Sequence, residues 1–109
     1  HSFDRVYRVW HDRAAFHFLT DADSQFLYLR QLQRSLAAGG DAIIAAFALD
    51  APPRCSGLPV ARYNEESLSE RLGTSFEPLR FEHETHRTPG GTSQQFLLGH
   101  FRKRSVPAP

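Results

Sequence analysis

The chain has 109 residues, one cysteine, no methionine and a formal net charge of +1, which allows one domain with a modest core and gives no field that argues for nucleic acid or an anionic membrane. The single Cys55 excludes an internal disulfide and any zinc site built on several cysteines. No apolar run approaches the length of a membrane span and the opening residues form no signal-peptide pattern, so the cytoplasm is the expected compartment.

Phe3 to Trp10 mixes polar positions with Phe3, Val6, Tyr7, Val9 and Trp10, a β-branched and aromatic bias that predicts a largely buried first strand ending near Trp10. Asp12 to Leu19 leads into a short helical turn with Ala15, Phe16 and Leu19 on one face. Thr20-Asp21-Ala22-Asp23 then supplies capping oxygens, since either aspartate can accept the free amide hydrogens of a first helical turn. In the helix that follows, Phe26, Leu29, Leu32, Gln33 and Leu36 keep three-and-four spacing, while Arg30, Gln31 and Arg34 are left to water. Gly39 or Gly40 is expected to close it, because the left-handed conformation that ends a helix is cheap only for glycine.

Asp41 to Leu49 is nearly continuous alanine, isoleucine and phenylalanine, as expected of a strand covered on both faces in a parallel sheet, and Asp50-Ala51-Pro52-Pro53 stops it. Cys55-Ser56-Gly57-Leu58-Pro59 reads as a loop. Asn64 opens a helix to Leu72, with Leu68 and Leu72 inward and Gly73 at its end. Phe76 to His83 and Ser93 to Phe101 are two further strands, joined through Thr88-Pro89-Gly90-Gly91 and paired most economically as a hairpin. This order predicts an α/β fold, a partial Rossmann-like mixed sheet of about four strands with helices packed on its faces. The first two strands run parallel through a right-handed crossover, the last two form the antiparallel hairpin, and the order across the sheet is one, two, four, three. Strand one then lies at an edge. The Phe101-Arg102-Lys103-Arg104 cluster reads as a solvated terminus.

The chain resembles the second half of a class I S-adenosylmethionine-dependent methyltransferase. The residues that carry the resemblance are Phe3-Asp4 at the start of the first strand, Leu36-Ala37-Ala38-Gly39-Gly40 before the second, and the closing antiparallel pair. The segment from Val9 to Leu19, with Trp10, Asp12 and Arg13, also resembles the Trp-Asp-Arg segment of the thiopurine methyltransferase branch. The family holds its cofactor through a glycine-rich turn and an acidic residue that precede the part matched here. The resemblance therefore implies a single partial domain over residues 1–109, with S-adenosylmethionine as the cofactor of the full-length family and no cofactor expected for this chain alone.

Several residues are candidates for the chemistry. Asp12 and Arg13 fall at the carboxyl edge of the first strand, where open α/β folds bind ligands. Arg13 can pair with a carboxylate and Asp12 can orient a nucleophile, or the two can serve only as an ion pair or helix cap. His11 and His17 titrate near neutral pH, so each can take a proton from an acceptor or simply be a surface or hydrogen-bonded histidine. Asp12 and His17 are thus the catalytic candidates, and the resemblance puts Trp10, His11 and Arg13 toward the cofactor. Phe16, Cys55 and Arg62 are assigned to the acceptor side, with core packing as the alternative for Trp10 and Phe16. Tyr63 either joins Arg62 there or staples the helix after it. His83 and His86 with Glu82 or Glu84 lack the helical spacing of a zinc protease, so no metal is expected.

The expected function is the acceptor-side half of a small-molecule methyltransferase, inactive as an isolated chain, whose parent takes a small-molecule acceptor. The alternative is a non-catalytic half domain that dimerises through the exposed edge of its first strand. The expected partner is accordingly a second copy or the missing N-terminal half.

Overall fold

The computed structural model describes residues 7–13, 15–55 and 57–105. Tyr7–Arg13 forms β1, and a single turn of 3-10 helix follows at Phe16–Phe18. The Asp21 carboxylate then accepts from the Ser24 amide 3.0 Å away and starts α1, Ala22–Ser35. β2 runs Leu36–Phe47, and a small hairpin of β3, Arg54–Cys55, and β4, Leu58–Pro59, comes next. At the start of α2, Glu65–Leu72, the Asn64 side chain accepts from the Ser67 amide while the Ser67 hydroxyl accepts from the Asn64 amide, a reciprocal capping box. β5, Phe76–Arg87, and β6, Ser93–Lys103, complete the chain.

Four of these strands make one sheet in the order β1-β2-β6-β5. β1 is parallel to β2, and both β2–β6 and β5–β6 are antiparallel. The expected mixed sheet and its order of one, two, four, three are therefore present. Because side chains alternate along a strand, Ala42, Ile44 and Ala46 of β2 and Leu97 and Phe101 of β6 share one face, where they pack with Leu32 of α1 and Leu68 and Leu72 of α2. Both helices thus lie on the same face. The opposite face carries Val9, His11 and Arg13 from β1, Ile43 from β2, Leu98 and His100 from β6, and Arg80 and Glu82 from β5.

The structure moves several boundaries. Phe3-Asp4 and Val6 lie outside the described residues. β1 continues past Trp10 to Arg13. α1 ends at Ser35 with Leu36 already extended, so Gly39 and Gly40 do not close it. They instead form a bulge in β2, where the pairing with β1 jumps from Tyr7↔Leu36 to Val9↔Asp41. The left-handed conformation is needed there, with Gly39 at φ 81°. The end of α1 is capped from across the sheet, where the Lys103 ammonium donates to the carbonyls of Gln33 and, at 2.7 Å, of Leu36. The inner face of α1 holds Leu29 and Leu32 as expected, with Leu36 just beyond it in the core, but not Phe26. Gln25, Leu32 and Ser35 are buried, whereas Phe26 is 62% exposed. The Cys55 loop contains the β3–β4 pair, and β5 and β6 run beyond their expected ends to Arg87 and Lys103.

Candidate functional site

The carboxyl ends of β1 and β2 lie beside each other, and the short 3-10 turn crosses over them. Asp12 organises this corner. Its carboxylate accepts from the Ala15 amide at 2.8 Å, from the Phe16 amide at 3.0 Å and from the Tyr28 hydroxyl. Tyr28 in turn accepts from the Trp10 indole Nε1 at 2.9 Å, and the two rings meet edge to face. Burial, and then the hydrogen bond to Asp12, push the Tyr28 phenol well above its ordinary range, so it stays a donor. The result is a partly buried relay from Trp10 through Tyr28 to Asp12 that fixes how the chain leaves β1.

Trp10 and Asp12 point toward the helices, so His11 and Arg13 point away from them and are exposed. These two side chains are free to meet an anionic or polar group at the strand end. Phe16 is fully buried against Tyr28 and Tyr63, which makes it core between the strand end and α1. Tyr63 is held by a bridge to Ala48 and faces Phe16, so it anchors the segment before α2.

His17 is also fully buried, among Phe18, Phe47 and Phe96. Its Nδ1 accepts from the Phe47 amide at 2.9 Å, and its Nε2 has no partner among the described residues. An amide can only donate, so Nδ1 carries the lone pair and the neutral ring holds its proton on Nε2. Desolvation lowers the pKa of the ring, and the nearby Asp12 opposes that only in part. His17 is therefore a neutral group that ties the turn to the end of β2.

Arg62 donates to the Ala51 carbonyl at 2.9 Å and to that of Leu49 at 3.4 Å, which pins the turn after β2. Cys55 is a free, half-buried thiol in the β3–β4 hairpin. The structure thus brings Trp10, Asp12, Phe16 and His17 into one corner, with His11 and Arg13 on its exposed side. Tyr28 is the member that sequence reasoning did not single out. Its one available signal is a tyrosine on the inner three-and-four face of α1, alongside Leu32. Among the described residues no group of three or more histidine, cysteine or acidic side chains converges as a metal site.

No family model and no curated protein matches the sequence. Solved structures do match. N-methyltransferase NodS from Bradyrhizobium japonicum WM9 superposes with a TM-score of 0.70 at 16% identity, over 96% of this chain and 55% of that one. TehB from Haemophilus influenzae gives 0.64 at 20% identity, over 92% and 36%. A structure describing the conversion of a disulfide bond into a thioacetal group during echinomycin biosynthesis gives 0.70 at 12% identity, over 97% and 52%. The chain spans about half the length, or less, of these structures. It has the methyltransferase-like α/β fold, and what it shares with NodS is that enzyme's architecture over roughly half a chain.

Proposed function

We propose that the chain is the acceptor-side half of a small-molecule methyltransferase and that residues 1–109 form one partial domain. The observation that carries this reading is the match of nearly the whole chain to about half of an N-methyltransferase, through a sheet whose parallel pair precedes an antiparallel hairpin. A NodS structure in complex with S-adenosyl-l-homocysteine superposes over 96% of this chain with a TM-score of 0.66. In this reading S-adenosylmethionine lies at the carboxyl end of β1. His11 and Arg13 face it, and the Trp10–Tyr28–Asp12 relay holds them in place.

The residues present do not complete a cofactor cradle. The glycines serve the fold: Gly39 and Gly40 in the β2 bulge, Gly57 in the small hairpin, Gly73 at the end of α2, Gly90 and Gly91 in the β5–β6 turn, and Gly99 beneath Leu68. None opens a helix after a strand, which is what a nucleotide-holding turn requires. No step of methyl transfer is therefore assigned to this chain alone. Phe16, Cys55 and Arg62 then belong to the scaffold around an acceptor pocket. Asp12 and His17 act by position, since the Asp12 oxygens and His17 Nδ1 are already hydrogen-bonded and the His17 Nε2–H is buried away from any acceptor among the described residues.

The test is calorimetric titration of S-adenosylhomocysteine into the chain alone and into the chain fused behind a glycine-rich upstream half of a NodS-like domain. Binding by the fusion that weakens on Arg13→Ala, with none by the chain alone, is the expected result. A correctly folded fusion that binds nothing, or binds regardless of Arg13, would remove the proposal.

A second reading, self-association through the open side of β1, draws on one observation: among the described residues β1 has a neighbour only in β2, and Val9 on it is 56% exposed.

A further inference from the structure

Phe16 and His17 are neighbours in the chain and both fully buried, yet they enter opposite sides of the sheet. Phe16 lies with the helices, against Tyr28 and Tyr63. The His17 ring lies on Phe47 and Phe96, which alternate with Ala46 and Leu97 onto the other face. The turn therefore straddles the end of β2.

Its parts are held differently. At the start, the Asp12 carboxylate takes the Ala15 and Phe16 amides at 2.8 and 3.0 Å. At the end, the Gln25 amide donates to the Leu19 carbonyl at 2.7 Å. Between these fixed points His17 makes two bonds out of the turn, both as acceptor: Nδ1 from the Phe47 amide at 2.9 Å, and its carbonyl from the Ala61 amide at 2.7 Å. One residue thus joins the turn to the end of β2 and to the segment that leads into α2.

The ring bond differs from the rest in that a single proton abolishes it, since a cationic imidazole is a donor at both nitrogens. Little around the ring welcomes the cation. The side chains that β2 and β6 pack on it are Phe47 and Phe96, and the turn adds Phe18. Asp12 is the charged group that reaches it, with oxygens already given to Ala15, Phe16 and Tyr28. Arg62, next to Ala61, directs its guanidinium to the Leu49 and Ala51 carbonyls. Water solvates the cation freely, so protonation favours the ring outside. His17 and the half-buried Phe18 are the short piece between the anchors that can swing there.

We propose that His17 is an acid-released clasp. Protonation frees His17 and Phe18 from Phe47 and Ala61 and uncovers the Phe47 and Phe96 rings at the carboxyl end of β2. Asp12 and Gln25 keep the two ends of the turn in place, and the four-stranded sheet stays folded. The device needs no cofactor and stands apart from the methyltransferase reading.

Native-state amide exchange of the full chain, followed by NMR from about pH 5 to 8 in water and in urea below the unfolding transition, tests it. Protection is taken relative to each amide's intrinsic rate. The Phe47 and Ala61 amides should exchange through an opening that exposes little surface, so urea leaves their protection nearly unchanged while that of Ile44 and Leu97 falls. Below about pH 6.5 the protection of Phe47 and Ala61 should drop together, by up to about tenfold per pH unit. The Tyr63 amide, bonded to the Phe47 carbonyl at 2.9 Å, should remain the better protected. His17→Asn should remove the pH response at both amides. In the parent chain, long-range proton-nitrogen spectra of the imidazole should place the proton on Nε2 above about pH 7 and on both nitrogens in acid. Phe47 and Ala61 amides that share the urea dependence of Ile44 and Leu97, that respond to pH separately, or that keep their response in His17→Asn would each overturn the proposal. So would a neutral ring that carries its proton on Nδ1.

Discussion

The backbone amide of Phe47 donates to Nδ1 of His17 over 2.9 Å, joining residues 30 positions apart. The bond fastens the turn after β1 to the last residue of β2, and it works only while the imidazole is neutral. Protonation would place an N–H on Nδ1 against the N–H of Phe47, and would put a charge among Phe18, Phe47 and Phe96.

The first prediction is a pH dependence of stability. The folded-state pKa of His17 lies below its unfolded value of about 6.5, so the unfolded chain binds more protons in that range. Stability is then complete above about pH 6.5 and falls as the pH drops toward the folded-state pKa. Asp41 titrates in a separate window. Its hydrogen bond to His100 lowers its pKa, and its contribution is lost only as the pH falls below the ordinary carboxylate range. Urea unfolding between about pH 5 and 8 should show stability rising with pH up to about 6.5 and levelling off above it. His17→Asn keeps an acceptor near the Nδ1 position and removes the titration, so the slope should flatten even where the variant is less stable. An unchanged slope would contradict the neutral assignment.

Tyr28→Phe should be destabilising by about 1–3 kcal/mol, the range for leaving buried polar groups without partners. The substitution takes one donor from Asp12 and strands the Trp10 indole N–H. Trp10 is the single tryptophan, so its fluorescence reports this corner directly. The expected outcome is a lower urea midpoint with a changed emission maximum in the native state. A shift in the midpoint without a spectral change would separate Tyr28 from Trp10.

Much of the architecture is legible in the chain because its signals are local. The apolar run before Asp50, the glycines and prolines between elements, and the Asn64 cap each act within a few residues of where they stand. The inner face of α1 is less legible. Gln25, Tyr28 and Ser35 take inward positions that a hydrophobic pattern assigns to apolar residues, because Tyr28 is satisfied by Asp12 and the Gln25 amide donates to the Leu19 carbonyl at 2.7 Å. Phe26 and Leu27 are left to water instead. The end of α1 is misread for a similar reason. Its cap comes from Lys103, 67 residues after Leu36, and glycines nearby offer a local alternative that the chain uses for a bulge. At the site, the position of Asp12 at a strand end follows from the order of elements. That its oxygens are filled by Tyr28 and two amides follows only from how α1 packs.

Lys103→Met tests that distant cap. The methionine keeps the aliphatic stem but removes the donors to the Gln33 and Leu36 carbonyls and the positive charge at the end of α1. A loss of about 1–2 kcal/mol is expected. Amide exchange should be faster in the last turn of α1 and in the first residues of β2, with the β5–β6 hairpin nearly unaffected. Uniform acceleration through the sheet would mean that Lys103 supports β6 rather than the helix.

Gly99 tests how closely α2 approaches the sheet. A Cβ built there would lie 2.6 Å from Cε1 of Phe101 and 3.2 Å from Cδ2 of Leu68. Both neighbours are fully buried in the core, so neither can turn aside into solvent. Alanine ordinarily stabilises a strand relative to glycine by roughly 0.5–1 kcal/mol, because it restricts the unfolded chain. Overpacking costs about 1–3 kcal/mol, and at a 2.6 Å approach the steric cost should win. Gly99→Ala is therefore expected to lower stability in urea unfolding, and Gly99→Val to lower it further despite the β propensity of valine. If Gly99→Ala instead raised the midpoint, the Phe101 ring and α2 would have room to move, and the packing of Leu68 over Gly99 would not be a fixed feature of the fold.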